Sequence, residues 1–332
     1  MVETTATTMG VVFAPGDTQR AQQTTKDREV HVRGGMHLEP ERGFFERAAD
    51  RGVCELDFES MHPSVVITRG ICPTGKGVLP KLMESLLDNK RVCENSEAKN
   101  LMVRRAFFKS IMVCTTGWLG MKLANGGDSI RRECYGRILQ ATRDILTETI
   151  EACNKLSTTE DFQGLRVVYG VTDSVFVMTP VGGAGELRDA LSHSAIRPSF
   201  GGSVNLCVNR VYETLLLIKK NQYCGYDTDN RFKQIGLLRS TQHTNERIVI
   251  NASYEALLAP NPVILNIKLH LLSKTLDTWP QWRPSTQDAI QTLRRACGTG
   301  PLPTSLTKVI ELVGCVQPAS GPKCRTLLCY ST

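Results

Sequence analysis

Leu165-Arg166-Val167-Val168-Tyr169-Gly170-Val171-Thr172-Asp173-Ser174-Val175-Phe176-Val177-Met178 consists of two β-rich runs around a tight polar turn. That pattern predicts a hairpin with an aspartate at its tip. Over a hundred residues earlier, Val53-Cys54-Glu55-Leu56-Asp57-Phe58 reads as a strand that also ends in an acidic residue. A sheet can bring two such strand ends together, and two carboxylates in one cleft suit hard divalent cations such as Mg²⁺. A pair of metals about 3.5–4 Å apart is the usual apparatus for in-line attack at phosphorus, because it stabilises both the attacking and the leaving oxygen.

The segment between the two acidic ends is helical in pattern. Leu79, Leu82, Met83, Leu86 and Leu87 recur at helical spacing and predict an amphipathic helix that ends near Lys90 and Arg91. A second helix is predicted from about residue 100 to 118, with Arg105, Lys109 and Val113 one turn apart. The pair reads as a helical hairpin whose Lys90, Arg91, Arg104, Arg105 and Lys109 suit a triphosphate. On charge alone the same residues read equally as a solvated face. A third long helix, capped by Asp128 or Ser129, carries the stripe Ile138, Leu139, Ile145, Leu146, Ile150 and Cys153. A further strand pair is expected over 215–223 and 232–239. Beyond about 245 the periodicity weakens, and Pro260, Pro262, Pro280, Pro284, Pro301 and Pro303 break it up.

Composition sets wide bounds. The chain has 332 residues, 41% hydrophobic and 22% charged, with a formal net charge of +7, a mild bias toward polyanions. None of its 12 cysteines forms a C-x-x-C pair, so they read as reduced thiols, and Cys315, Cys324 and Cys329 fall one ligand short of a structural zinc site. No export signal precedes the first strand, and the run Leu215-Leu216-Leu217-Ile218 is far too short to cross a bilayer. The expectation is a soluble intracellular protein with no membrane partner.

Seven segments then follow one order. Leu56-Asp57-Phe58-Glu59-Ser60-Met61-His62-Pro63-Ser64-Val65-Val66 resembles the first polymerase motif of family B DNA polymerases, D-F-x-S-L-Y-P-S-I-I. Tyr169 to Ser174 resembles their Y-G-D-T-D-S turn, and Lys109 to Gly117 their K-x-x-x-N-S-x-Y-G fingers motif. Gly34-Gly35 with Glu39-Pro40-Glu41-Arg42-Gly43 is similar to the segment that precedes the first motif, and Val78-Leu79-Pro80 with Lys90-Arg91 to the first fingers helix. Lys219-Lys220 through Tyr223-Cys224-Gly225 resembles the K-K-x-Y motif, and Lys233 to Arg239 the K-G-x-x-x-V-R-R strand after it. The resemblance covers residues 34 to about 240.

It implies an α+β polymerase palm, an antiparallel sheet backed by helices, with a helical-hairpin fingers insertion and a truncated or degenerate thumb. The implied division is a flexible leader at 1–32, palm at 33–77, fingers at 78–123, palm again at 124–245, and a thumb-like or unassigned region at 246–332. Only about 33 residues precede the resemblance, which leaves no room for the family's proofreading exonuclease. The implied activity is DNA-directed nucleotidyl transfer from deoxynucleoside triphosphates to a primer 3′-hydroxyl. Asp57, Asp173 and the Phe58 carbonyl would hold two Mg²⁺ ions, with Mn²⁺ as a substitute. Lys109, Lys90, Arg91 and Arg104 would hold the triphosphate, with Val113 beside the incoming nucleotide. His62 stands where a tyrosine usually underlies the sugar. Lys220 and Tyr223 would contact primer–template DNA, and a processivity factor is a candidate partner. The divergence points to a large DNA virus or mobile element, and hence to the nucleus.

Several positions depart from the pattern. Val171 replaces the first aspartate of the turn, Val113, Cys114 and Thr116 replace Asn, Ser and Tyr in the fingers motif, and Asn221-Gln222 dilutes the basic motif before Tyr223. The rival reading is therefore a catalytically degenerate relative that binds DNA or acts as a scaffold. A reverse-transcriptase reading ranks last, because its Y-x-D-D tip does not fit Tyr169 to Asp173. Gly70-Ile71-Cys72-Pro73-Thr74-Gly75-Lys76-Gly77 nearly spells a P-loop, but Gly77 replaces the required Ser or Thr and the segment follows a helix, so it reads as a turn. The six histidines show no metal-site spacing.

Overall fold

The computed structural model describes residues 29–32, 35–94, 99–121, 129–180, 182–196 and 204–314. Among the described residues nine strands form one antiparallel sheet: β1 (Glu29–Val32), β2 (Gly35–Leu38), β3 (Gly43–Glu46), β4 (Arg51–Glu59), β5 (Arg166–Val171), β6 (Ser174–Pro180), β7 (Asn205–Lys219), β8 (Gln222–Asp227) and β9 (Phe232–Ile235). Their order is β1-β2-β5-β6-β4-β7-β8-β9, with β3 also paired to β7. The strand at Glu29–Val32 falls within the stretch expected to be a leader, where it pairs with β2.

Two-residue alternation divides the central strand β4 between two environments. Cys54, Leu56 and Phe58 face a core built from α1 (Met61–Thr68), α2 (Val78–Glu94) and the long α4 (Ser129–Leu156), which contributes Ile138, Ile145 and Leu146. Val53 packs on the opposite face with Tyr169, Phe176, Tyr212 and Tyr223, and Glu55 and Asp57 share that parity. The α2 stripe is narrower than its sequence suggests. Leu79, Met83, Leu86 and Leu87 are buried, whereas Leu82 is 43% exposed.

The second helix of the hairpin, α3 (Lys99–Gly120), ends against α4. Arg131, 1% exposed, donates from Nη1 to the Trp118 carbonyl at 2.7 Å and from Nη2 to that of Met121 at 2.8 Å. It thus satisfies carbonyls that a helix end leaves without intrahelical partners, and its positive charge complements the helix dipole.

The C-terminal part departs most from its sequence pattern. After α5 (Ala184–Leu191) and the β7–β9 strands come four helices: α6 (Thr244–Leu257), α7 (Pro262–Thr278), α8 (Arg283–Cys297) and α9 (Ser305–Gly314). They build a second core with Leu216, Cys224 and Tyr226 of the sheet. Two of the six prolines that looked like breakers open these helices. Pro262 follows the Asn261 cap, whose side chain accepts from the Ile264 N–H at 3.0 Å, and Pro284 sits in the first turn of α8. Proline is tolerated there because the first helical N–H groups have no partner to lose. The strand pair expected over 215–223 and 232–239 is three strands, with β7 beginning ten residues early at Asn205 and a turn at Lys220-Asn221.

Candidate active site

The register of β4 against β6 sets Asp57 opposite Ser174, directly after the hairpin tip at Thr172-Asp173. The Phe58 N–H donates to the Asp173 carbonyl at 2.8 Å, and Ser174 Oγ donates to Asp57 Oδ1 at 2.7 Å. The tip is therefore sewn to the end of β4, and both aspartates reach one cleft. Burial pushes the Asp57 carboxyl up to about 6, helped by the charges of Asp173 and Glu55 and opposed by the Ser174 hydrogen bond and by Lys233. Burial raises the Asp173 carboxyl as well, against a backbone hydrogen bond and the charges of His62 and Lys109.

The cleft has a volume of about 470 Å³ and runs from the aspartates to the inner face of α3. Arg105, Lys109 and Val113 line it from successive turns of that helix. Arg104, one residue round the helix, is exposed and absent from the lining. Lys90 forms part of the floor. It is 6% exposed, and its Nζ donates to Glu59 Oε1 at 3.3 Å and Ser60 Oγ at 3.2 Å. Arg91 lies 3.8 Å from the same Glu59 carboxylate and 3.8 Å from Asp88, and is not part of the lining. His62, the second residue of α1, faces the cleft, its imidazole held below its usual range by burial and drawn back up by Asp173.

Lys220 occupies the β7–β8 turn, its ammonium lowered by partial burial against the pull of Glu39. Tyr223 is only 6% exposed, its ring set edge-on 5.0 Å from Phe176 and 6.2 Å from Tyr169. Asn221, at φ 54°, takes the left-handed conformation that asparagine tolerates better than lysine or arginine. Its N–H donates to Tyr169 Oη at 2.9 Å, so this departure from the basic motif braces the strand leading to Asp173.

Val171 packs against the aromatic face of the sheet. At these strand ends the cleft is lined by Asp57, Phe58, Glu59 and Asp173, with the Glu59 carboxylate already engaged by Lys90, and no group of three or more His, Cys, Asp or Glu suited to a metal occurs among the described residues. That donor set still fits Mg²⁺, which is commonly held by one or two carboxylates and completes its shell with water and substrate phosphates. Two partly desolvated carboxylates of like charge gain from a cation between them.

Other motifs lead elsewhere. The P-loop-like segment is a turn between α1 and α2, with Gly70, Gly75 and Gly77 at positive φ. Cys315, Cys324 and Cys329 lie outside the described residues, and the nine described cysteines form no disulfide with one another. No helix of the described residues is long and apolar enough to cross a membrane. The sequence reading passed over Glu55, which is buried beside the site. Its signal was a second acidic residue inside the strand run that carries Asp57.

A family model described as DNA polymerase family B matches residues 133–279, a span that includes Asp173, Lys220 and Tyr223 and begins after Asp57. The chain is 25% identical over 353 aligned residues to the DNA polymerase catalytic subunit of Rhesus cytomegalovirus, covering 88% of this chain and 33% of that one. It is 26% identical over 234 residues to a DNA polymerase of Archaeoglobus fulgidus, covering 61% and 28% respectively. To the DNA polymerase alpha catalytic subunit of Arabidopsis thaliana it is 26% identical over 222 residues, 58% of this chain and 13% of the relative. The chain spans about a third or less of the length of these relatives.

Proposed function

We propose that this chain, which is similar over part of its length to family B DNA polymerases, carries a template-directed DNA polymerase site, using deoxynucleoside triphosphates and primer–template DNA. The observation that carries this reading is the pairing of Asp57 with the Asp173 turn in a cleft that Arg105 and Lys109 line from α3. Asp57, Asp173 and the Phe58 carbonyl would hold two Mg²⁺ ions, which when bound lower the barrier to attack by a primer 3′-hydroxyl and neutralise the triphosphate. Ser174 orients Asp57 through its 2.7 Å hydrogen bond, so the carboxylate presents its other oxygen to the cleft. Lys109 and Arg105 receive the triphosphate from α3, as charge stabilisers rather than proton donors. Lys90, tied to Glu59 and Ser60, shapes the floor at the start of α1 beneath them. His62 lies where the sugar would rest, and Val113 offers an apolar surface to the incoming base. Lys220 holds the DNA backbone, and Tyr223 acts from within the sheet, keeping the β7–β8 turn in place. Residues 78–123 act as fingers and the α6–α9 helices as the thumb-side support. The reaction belongs to DNA replication, with the nucleus as the compartment and a processivity factor as a further partner.

One observation favours a second reading. Val171 is packed into the sheet, so the hairpin tip offers one carboxylate where the family motif has two. The alternative is a relative that binds primer–template without extending it. Primer extension on a primed DNA template, with Mg²⁺ and then Mn²⁺, beside an Asp173→Ala control, separates the two. Extension that disappears in the control supports the polymerase. Nanomolar to micromolar duplex binding without extension supports the binding relative.

The raised Asp57 carboxyl makes a pH prediction. Metal binding needs the ionised form, so divalent-cation affinity of the free protein is expected to fall as pH drops below about 6. Stability moves the other way. The folded state takes up a proton near pH 6 that the unfolded chain takes up only near its model value of 3.8, so the metal-free fold gains stability as pH falls across that window. Mn²⁺ titrations and denaturant midpoints at pH 5 and 7.5 check both signs.

A further inference from the structure

Glu55 lies two residues before Asp57 on the same face of β4, is 2% exposed, and has no part in the reaction proposed above. Its Oε1 accepts from Asn209 Nδ2 at 3.0 Å and its Oε2 from Tyr212 Oη at 2.7 Å, both on β7. Lys233 Nζ donates to the two oxygens at 2.8 and 3.0 Å. Lys233 belongs to β9, which is separated from β4 by β7 and β8. Three strand spacings are about 14 Å in a flat sheet, so the pair closes over a twisted sheet, with the ammonium 5.6 Å from the centroid of the Tyr223 ring it crosses. A buried carboxylate and a mostly buried ammonium are costly unless each is compensated, and here an ion pair and two neutral donors do so.

The pair also acts on the strand end. Glu55 precedes Asp57 by two residues on the same face of β4, and Lys233 is bonded to both Glu55 oxygens, so the two opposite charges are held next to the strand end that carries Asp57. Removing either partner therefore leaves an uncompensated charge beside the two carboxylates, whereas removing both keeps the net charge.

We infer that Glu55 and Lys233 are positioning residues, a buried counter-ion pair that fixes the end of β4 and balances charge beneath a divalent-cation site formed by Asp57 and Asp173. The inference rests on the metal-site reading of those aspartates. It also makes β9, the strand leading toward the helical C-terminal part, a contributor to the site's electrostatics.

The test is Mn²⁺ binding by the full chain, read from the paramagnetic resonance signal of free Mn²⁺, with folding followed by circular dichroism. Binding should be lost in Asp57→Asn. Glu55→Gln, which leaves Lys233 unopposed, should weaken it roughly tenfold, within the range measured for residues that support metal ligands. Adding Lys233→Met should return the affinity to within about threefold of the native chain, a recovery that a merely structural role would not give. If Glu55→Gln does not fold, the double variant against the native chain decides, and a tenfold loss there overturns the inference. Native affinity in a folded Glu55→Gln, or no recovery in a folded double variant, also overturns it while leaving the aspartate site standing. Absence of Asp57-dependent binding in the native chain removes both.

Discussion

Asp57→Asn is expected to lower templated extension at least about 10³-fold while leaving the fold intact. Asparagine matches aspartate in shape, and its Oδ1 can still accept from Ser174, so the seam between β4 and the hairpin survives. The negative charge that would draw a divalent cation on the proposed reading does not. A thousandfold loss is about 4 kcal/mol of barrier, in keeping with the several kcal/mol a catalytic metal contributes. With Val171 already in place of one carboxylate, little redundancy remains to soften the loss. Single-turnover primer extension at saturating Mg²⁺ measures it, alongside the thermal midpoint. A variant within tenfold of the native rate would place the chemistry elsewhere.

Gly236→Ala is expected to destabilise the protein by about 3 kcal/mol, from overpacking and left-handed backbone strain together. Gly236 has φ 67°, and a Cβ built there would sit 1.9 Å from the Asn221 carbonyl oxygen and 3.1 Å from its carbon. Backbone, unlike the tip of a flexible side chain, cannot step aside cheaply. The turn that would have to move carries Asn221, whose N–H is bonded to Tyr169 four residues before Asp173. The damage should therefore reach activity even where the variant still folds. Urea unfolding gives the first effect and extension rate at low temperature the second. A loss below 1 kcal/mol would mean that the β7–β8 turn gives way more easily than its contacts imply.

Much of the palm-like region was legible because its signals are local. The hairpin around Asp173 declares itself by two β-rich runs and a turn, and β4 by the apolar stretch that ends at Asp57. Their register needed the structure, since no local pattern states that Asp57 lies opposite Ser174. Helical phase was readable only to within about one residue. Arg104 and Arg105 look alike in sequence, but a step of about 100° round α3 sends Arg105 to the cleft and Arg104 away. The charge of Lys90 was visible, but not that Glu59 and Ser60 already engage it. The C-terminal helices were missed because proline was read as punctuation, when at a first turn it is a start signal. Glu55 was hidden by distance, its main partner being 178 residues away.

The 15-residue strand β7 runs through both cores, its first half supplying Leu206 to one and its second half Leu216 to the other. Around residues 214–217 it is hydrogen-bonded on one side to β3 and on the other to β8. Backbone amides flanked on both sides can exchange with solvent only when a neighbouring strand peels away. Neither core can melt without unzipping part of the strand that the other depends on, so the two share one cooperative transition. The same coupling means that a destabilising change among the C-terminal helices is felt as loosened register at Asp57.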